Sequence, residues 1–408
     1  MSAAVLVSEG KTRGRFLVAV MLSSSPLMAL IFTSVSPALP AMASYLGGSS
    51  PALLAQLIMM ISSIGIMIGG PAMGLLVDRF GPRQLLLATL LMYGVAGSAG
   101  LYLSNAATIL FSRFILGVAA SGVAASALTL VGRQFDAAGR ARIVGYQSAC
   151  GATMGLLSTL LSGYAVQEHG WRLPFSFYLI SLVVFILAFT VVPGSVIEDA
   201  EALPQDYGTM NGGVNTAVGF GAIKKLLPLL LGIVPLYSAV FTTSTQVGFL
   251  LRDDGIVSSS MQALIISTAS LSNAVGASSF GAFSRRIGIR FQIVVSVGLM
   301  ATGHLLLGGL HGLLSAAGGC VLAGLGSGLL TPHLIGRVLA RAPDNARGRA
   351  TGAMYAAMFL GSFMNPLLLA PITSRFGVHA AVGIVGCALG VFALFSLFGA
   401  GVRPNPQT

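Results

Sequence analysis

Long apolar runs alternate with short polar connections along this chain. A helix needs about 20 apolar residues to cross the hydrocarbon of a bilayer. Inside hydrocarbon the backbone must satisfy its own hydrogen bonds, so runs of that length are helices. The pattern predicts spans at roughly 16–40, 52–77, 84–103, 106–132, 143–166 and 173–193. A second set follows at roughly 225–250, 259–283, 290–310, 313–339, 351–372 and 378–400. The first run, from near Phe16 past Pro40, is too long for the core of a signal peptide and reads as the first span. Between the sets lies a polar stretch, 194–224, with Glu198, Asp199, Glu201, Asp206 and Lys224. It is the one connection long enough to join two domains. The expected organisation is an N-terminal six-helix half, 1–193, a cytoplasmic linker, 194–224, and a C-terminal six-helix half, 225–408.

Composition agrees with a lipid environment. Hydrophobic residues make up 55% of the chain and charged residues 8%, whereas a soluble domain needs about 25% charged residues. The 53 glycines fit helices that approach one another closely in a membrane. Cys150, Cys320 and Cys387 sit in apolar stretches and read as small packing residues, with no metal site or cofactor implied. A net charge of +11 raises nucleic acid as a partner, but the charges fall in short clusters between apolar runs, which excludes a basic binding tract.

Those clusters set the orientation. Of the 22 lysines and arginines, only Arg172, Arg252 and Arg375 fall on one side, and Arg113 lies within a span. The rest share the other side, which the positive-inside rule makes cytoplasmic. Both termini are then cytoplasmic and the number of spans is even.

The halves also repeat. An offset of 207 residues carries Gly81 onto Gly288, Arg83 onto Arg290, Gly117 onto Gly324, Arg140 onto Arg347, Arg142 onto Arg349, Gly145 onto Gly352 and Gly170 onto Gly377. Duplicated helix sets of this kind place a substrate site near the bilayer midplane, between lobes that rock around it.

The connection after the second span reads Gly74-Leu75-Leu76-Val77-Asp78-Arg79-Phe80-Gly81-Pro82-Arg83. It resembles the G-x-L-x-D-R-x-G-x-R signature of the major facilitator superfamily. A degenerate echo, Gly281 to Arg290, carries Arg285 at the Asp position. The resemblance implies an all-α integral membrane fold of twelve transmembrane helices, N-in and C-in. It also implies that Gly74, Asp78, Arg79, Gly81 and Arg83, with Asp136 as acidic partner, latch the halves in the outward-facing state. Gly74 allows close packing and Gly81 a tight turn. The alternative is that these charges only set topology. Pro82 stands where the family commonly has a basic residue.

Arg113-Phe114-Ile115-Leu116-Gly117 is similar to an R-x-x-x-G element of proton-coupled members. A charge within a span is costly and points to function. Three roles stay open for Arg113: tuning a proton step, holding an anionic substrate, or bonding backbone carbonyls as a structural hub. The fifth span lacks the Gly-Pro element of the superfamily's antiporters. The 11 acidic residues all lie in tails, loops or helix ends, so proton coupling would need His333, Asp78 or the substrate itself.

Candidate cavity residues are Gln56, Arg113, Tyr146, Gln147, Tyr237, Gln246, Asn273, His333, Tyr355 and Asn365, each of which could instead bind helix to helix. His304 reads as structural. Gly170-Trp171-Arg172 reads as an interfacial anchor at the headgroups. No chain spacing suits a metal or phosphate, so an enzyme is not expected. The leading reading is a monomeric secondary transporter in a bacterial inner membrane, exporting a small amphipathic compound against protons. The alternative is uptake of a small organic anion with Arg113 as counter-charge.

Overall fold

The computed structural model describes residues 14–47, 50–192, 220–342 and 347–398. Every regular element among them is helical. We number the long helices α1 Gly14–Leu46, α2 Pro51–Phe80, α3 Pro82–Leu101, α4 Ala106–Gln134, α5 Ala137–His169 and α6 Leu173–Val191. After a break come α7 Phe220–Asp253, α8 Ser259–Arg286, α9 Ile289–Gly309, α10 Leu313–Leu339 and α11 Arg347–Phe398. Among the described residues, these are 11 helices long and apolar enough to cross a membrane. Of the expected linker, residues 194–219 lie outside the described residues, and 220–224 continue as the start of α7.

Helix α1 is interrupted where prolines remove donors: a 3₁₀ turn, Ser36–Ala38, contains Pro37, and Pro40 follows. Ser34 sits at this break and donates its hydroxyl to Leu30 O at 2.6 Å. At the other end of the chain, α11 runs for 52 residues. At 1.5 Å per residue that is roughly twice what one bilayer crossing requires. The backbone leaves helical geometry at Gly377, with φ 84 and ψ 168, which divides α11 into arms 347–376 and 378–398. Gly170, between α5 and α6, adopts the same conformation, φ 83 and ψ 173. The two positions are equivalent under the 207-residue offset, so the two arms of α11 repeat α5 and α6.

The offset also governs packing. A Cβ on Gly117 would run into Ser62 O of α2, and a Cβ on Gly324 would run into Ala269 O of α8. Residues 62 and 117 map onto 269 and 324. Close approach of α2 to α4 is thus reproduced between α8 and α10 by the same missing methyl group. Gly81 and Gly288 differ: Gly81 turns with φ 80, whereas Gly288 has φ −58, open to any residue.

Helices α1–α6 close over a core that includes Met21, Leu30, Met59, Tyr93, Leu116, Phe175 and Tyr178. Helices α7–α11 close over Ile233, Met300, Leu330 and Met354, with a smaller cluster around Val247, Leu250, Leu307 and Val382. Val95, Phe111, Val183, Ile186, Phe189 and Phe395 point outward. So many exposed large apolar side chains suit hydrocarbon as solvent.

Candidate functional site

The two helix sets are joined at the arginine-poor end. Ser36 donates to Ser244 O at 2.6 Å, and Arg252 reaches Pro40 O at 3.0 Å and Ser44 Oγ at 2.9 Å, tying α1 to α7. Gln56 on α2 donates to Thr245 O and Gln246 Oε1, both at 3.3 Å. Gln167, near the end of α5, accepts from Ser258 Oγ at 2.7 Å at the start of α8. Just inside this layer Phe32 meets Phe241 edge-on at 5.2 Å, and Ser362 donates to Ser63 at 2.7 Å.

The other end of the same helices is parted. The arginine-poor half of α5 alternates buried and exposed positions, and a Cβ on Gly163 would collide with Ala263 of α8. Nearer the arginine-rich end, Arg142, Val144, Gly145, Tyr146, Ser148 and Ala149 are all exposed, with only Ile143 and Gln147 buried. Helix α8 behaves alike: Ala277, Ser278, Ser279, Gly281 and Ala282 are exposed. Exposure around most of a helix means that no neighbour covers it. Toward the arginine-rich end these stretches of α5 and α8 are therefore not covered by a described neighbouring helix.

Most of the candidate cavity residues hold helices together. Gln147 donates to Met21 O at 2.7 Å and Ser24 Oγ at 3.1 Å, fixing α5 to α1. Asn365 donates to Ser238 O at 2.8 Å and Thr242 Oγ1 at 2.9 Å, and accepts from Thr245 Oγ1 at 2.6 Å, fixing α11 to α7. Asn273 donates to Ser327 at 2.8 Å, and the Tyr237 and Thr331 hydroxyls share a bond of 2.8 Å. Gln56 and Gln246 are the one candidate pair brought together across the sets. Tyr146 is exposed and Tyr355 half-buried, both toward the open end. His333, after Pro332 on α10, turns to α9, where Nδ1 bonds Gln292 Oε1 at 3.0 Å; its Nε2 is buried without a partner. His304 bonds Met300 O at 2.8 Å within its own helix, as a structural residue does.

Arg113 is 0% exposed. Its guanidinium carbon lies 4.6 Å from the Phe175 ring centre and 4.7 Å from that of Tyr178. Nε, Nη1 and Nη2 have no hydrogen-bond partner. The expected alternative of a hub bonded to carbonyls is therefore not formed. The tyrosine hydroxyls are engaged elsewhere: Tyr178 bonds Leu30 O at 3.1 Å and shares a bond with Ser34, and Tyr93 donates to Leu27 O at 2.6 Å. Ring faces are what remain for the cation. A desolvated cation–π contact is worth about 2 kcal/mol, less than the several kcal/mol it costs to bury an unpaired charge. No residue pattern announces this cage, because Phe175 and Tyr178 lie in a segment that reads only as apolar.

The signature connection is disengaged. Gly81 makes the expected turn and Gly74 is buried. Asp78 is exposed, with no ion pair among the described residues. Arg79 lies over Phe80 at 5.5 Å, and Arg83 bonds Phe189 O at 3.2 Å. Asp136 caps α5, accepting from Gly139 N at 2.9 Å. The Trp171 ring is 7% exposed, packed against Tyr45 and Phe175. Arg172 bonds Leu101 O, Leu103 O, Tyr45 OH and Ser104 Oγ, all at 3.1 Å. The pair ties the end of α1 to the connection after α3.

Comparison with known proteins agrees with this architecture. A niacin transporter, NiaP, from Acinetobacter baylyi is 29% identical over 139 residues, which is 34% of this chain and 32% of that one. The chain thus spans about a third of the length of that relative. A multi-drug resistance efflux pump, PmrA, from Streptococcus pneumoniae is 22% identical over 86% of this chain and 87% of its own. The crystal structure of the nucleoside transporter NupG superposes with a TM-score of 0.77 at 13% identity, over 95% of this chain and 100% of that one. The model of the Major Facilitator Superfamily matches residues 21–363 and, again, 229–408. This chain is a multi-pass membrane transporter, not an enzyme, and belongs to the major facilitator superfamily.

Proposed function

We propose that the chain exports a small amphipathic molecule across a bacterial inner membrane, coupled to proton entry, as a monomer. Two six-helix halves, 1–193 and 225–408, alternate about a central path. The two arms of α11 bring the spans to twelve, with both termini in the cytoplasm. One observation carries the reading: the sets are zipped at the arginine-poor end and parted at the arginine-rich end. Under the positive-inside rule that is an inward-facing state, ready to load from the cytoplasm.

The chemistry of the path supports an amphipathic cargo. Gln147, Asn273, Tyr237 and Asn365 spend their hydrogen bonds on neighbouring helices, and Arg113 is enclosed. The path is left with apolar walls and few free polar groups. The likeness to an efflux pump over most of both chains supports the direction. Asp78, Asp136, Glu168, Asp253 and Asp254 are the carboxylates among the described residues, all at helix ends or in connections. Coupling therefore falls to His333, whose Nε2 is free, to Asp78, or to the substrate.

A second reading is uptake of a small organic anion. The unbonded guanidinium of Arg113 and the partial likeness to a niacin transporter favour it. Vesicles with an imposed pH gradient separate the two. Export predicts that a gradient acid on the side that protons leave drives cationic and neutral amphipaths the opposite way. Uptake predicts that organic anions follow the protons. Asp78→Asn tests the latch: turnover should fall about 10-fold or more while substrate affinity stays within about 2-fold. Lost affinity with normal turnover would refute it.

A further inference from the structure

On the arginine-poor face, three connections of the second helix set converge. The turn after α7 supplies Asp254, the link between α9 and α10 supplies His311, and the start of the second arm of α11 supplies His379. Asp254 Oδ1 is 2.5 Å from His311 Nδ1 and 3.1 Å from His379 Nε2. One donor atom from each residue fits within 4.8 Å of the others. Asp253 stands at the rim, its Oδ2 4.0 Å from His379 Nε2. The Asp254 side chain is 4% exposed, that of His379 14% and that of His311 71%.

We propose that Asp254, His311 and His379 form a binding site for a divalent transition-metal ion, zinc above all, with Asp253 or water as fourth ligand.

The donor set selects the ion. Two imidazoles with carboxylate oxygen suit zinc and its neighbours; magnesium and calcium prefer all-oxygen shells. Bonds of 2.0–2.2 Å to a tetrahedral zinc put adjacent donor atoms roughly 3.3 Å apart. The separations here bracket that value, so binding requires side-chain shifts of about 1 Å and no rebuilt backbone. Two supporting features are in place. Gly312 N donates to Asp254 Oδ2 at 3.3 Å, which fixes the carboxylate while Oδ1 faces the imidazoles. Both ring nitrogens of His379 are buried without a hydrogen-bond partner, although Nε2 lies beside a carboxylate.

The hinge glycines place the ligands: Gly312 turns with φ 105 directly after His311, and Gly377, φ 84, stands two residues before His379. Sequence spacing hid the site because 57 residues separate Asp254 from His311. Arg252, two residues before Asp254 in the chain, bonds Pro40 and Ser44 across the sets.

The test uses the full-length transporter in detergent, carrying a tag without histidines and stripped of metal. Equilibrium dialysis against zinc should load one equivalent at micromolar free ion, and cobalt should give the visible absorption of a tetrahedral His-ligated centre, displaced by zinc. Zinc should also raise the melting temperature. His311→Gln, exposed and so harmless to folding, should weaken binding at least about 10-fold, as should Asp254→Asn and His379→Gln. The proposal is overturned if the wild type takes up no stoichiometric zinc at that concentration. It is equally overturned if folded His311→Gln and His379→Gln proteins bind as the wild type does.

Discussion

Arg113 and Arg172 share one aromatic layer of the first helix set and are held in opposite ways. Trp171 lies 5.9 Å from Phe175, and Phe175 lies 6.4 Å from Tyr178. Arg172 sits over the Trp171 face at 4.8 Å, at the wet edge of this layer, and gives hydrogen bonds to four oxygens. Arg113, at the dry end between Phe175 and Tyr178, gives none through its side chain. Arg172 gives four hydrogen bonds through Nη1 and Nη2, a tie whose worth is stability. Arg113 is buried with Nε, Nη1 and Nη2 unbonded, which costs stability.

The largest effect should come from Arg113→Met, which fills the same space without charge. Transport in vesicles should drop about 100-fold, while thermal melts show the protein unchanged or stabilised by about 1–4 kcal/mol, as when buried ions give way to apolar side chains. Normal transport by this variant would reduce Arg113 to scaffolding and dissolve the contrast. Next, Arg172→Ala should lower stability by about 1–3 kcal/mol, through carbonyls left unbonded, with turnover per folded molecule within about 2-fold of normal. A loss of turnover without a loss of stability would reverse the assignment of the two arginines. Phe175→Leu sharpens the picture through a double-mutant cycle: it should cost about 2 kcal/mol more with Arg113 present than with Met at that position, the share due to the ring and cation. Smallest is Tyr45→Phe, which removes one acceptor from Arg172 and should cost about 1 kcal/mol in the same melt.

What could be read from the sequence was whatever lipid or duplication imposes on a local stretch. Apolar runs announced the helices because hydrocarbon leaves the backbone no other solution. The pairs Gly117 with Gly324 and Gly170 with Gly377 were visible because a close approach and a left-handed turn each demand glycine. Long-range pairings were not legible. That Asn365 serves α7, that His333 faces Gln292, or that Phe175 and Tyr178 enclose Arg113 depends on how rods lie side by side, and no residue type betrays it. The packing of the Trp171 ring against Tyr45 and Arg172 was hidden for the same reason. The signature was legible as a turn at Gly81, while Asp78 is exposed and forms no ion pair among the described residues.

The seam across the arginine-poor end is stitched almost wholly with uncharged groups. Amides, hydroxyls and carbonyls meet one another there, and even Arg252 finds neutral oxygens. Dissolved electrolyte screens exposed charge over about 8 Å at physiological ionic strength, yet it has little purchase on dipoles in direct contact. Brackish and dilute surroundings should therefore leave that seam equally firm.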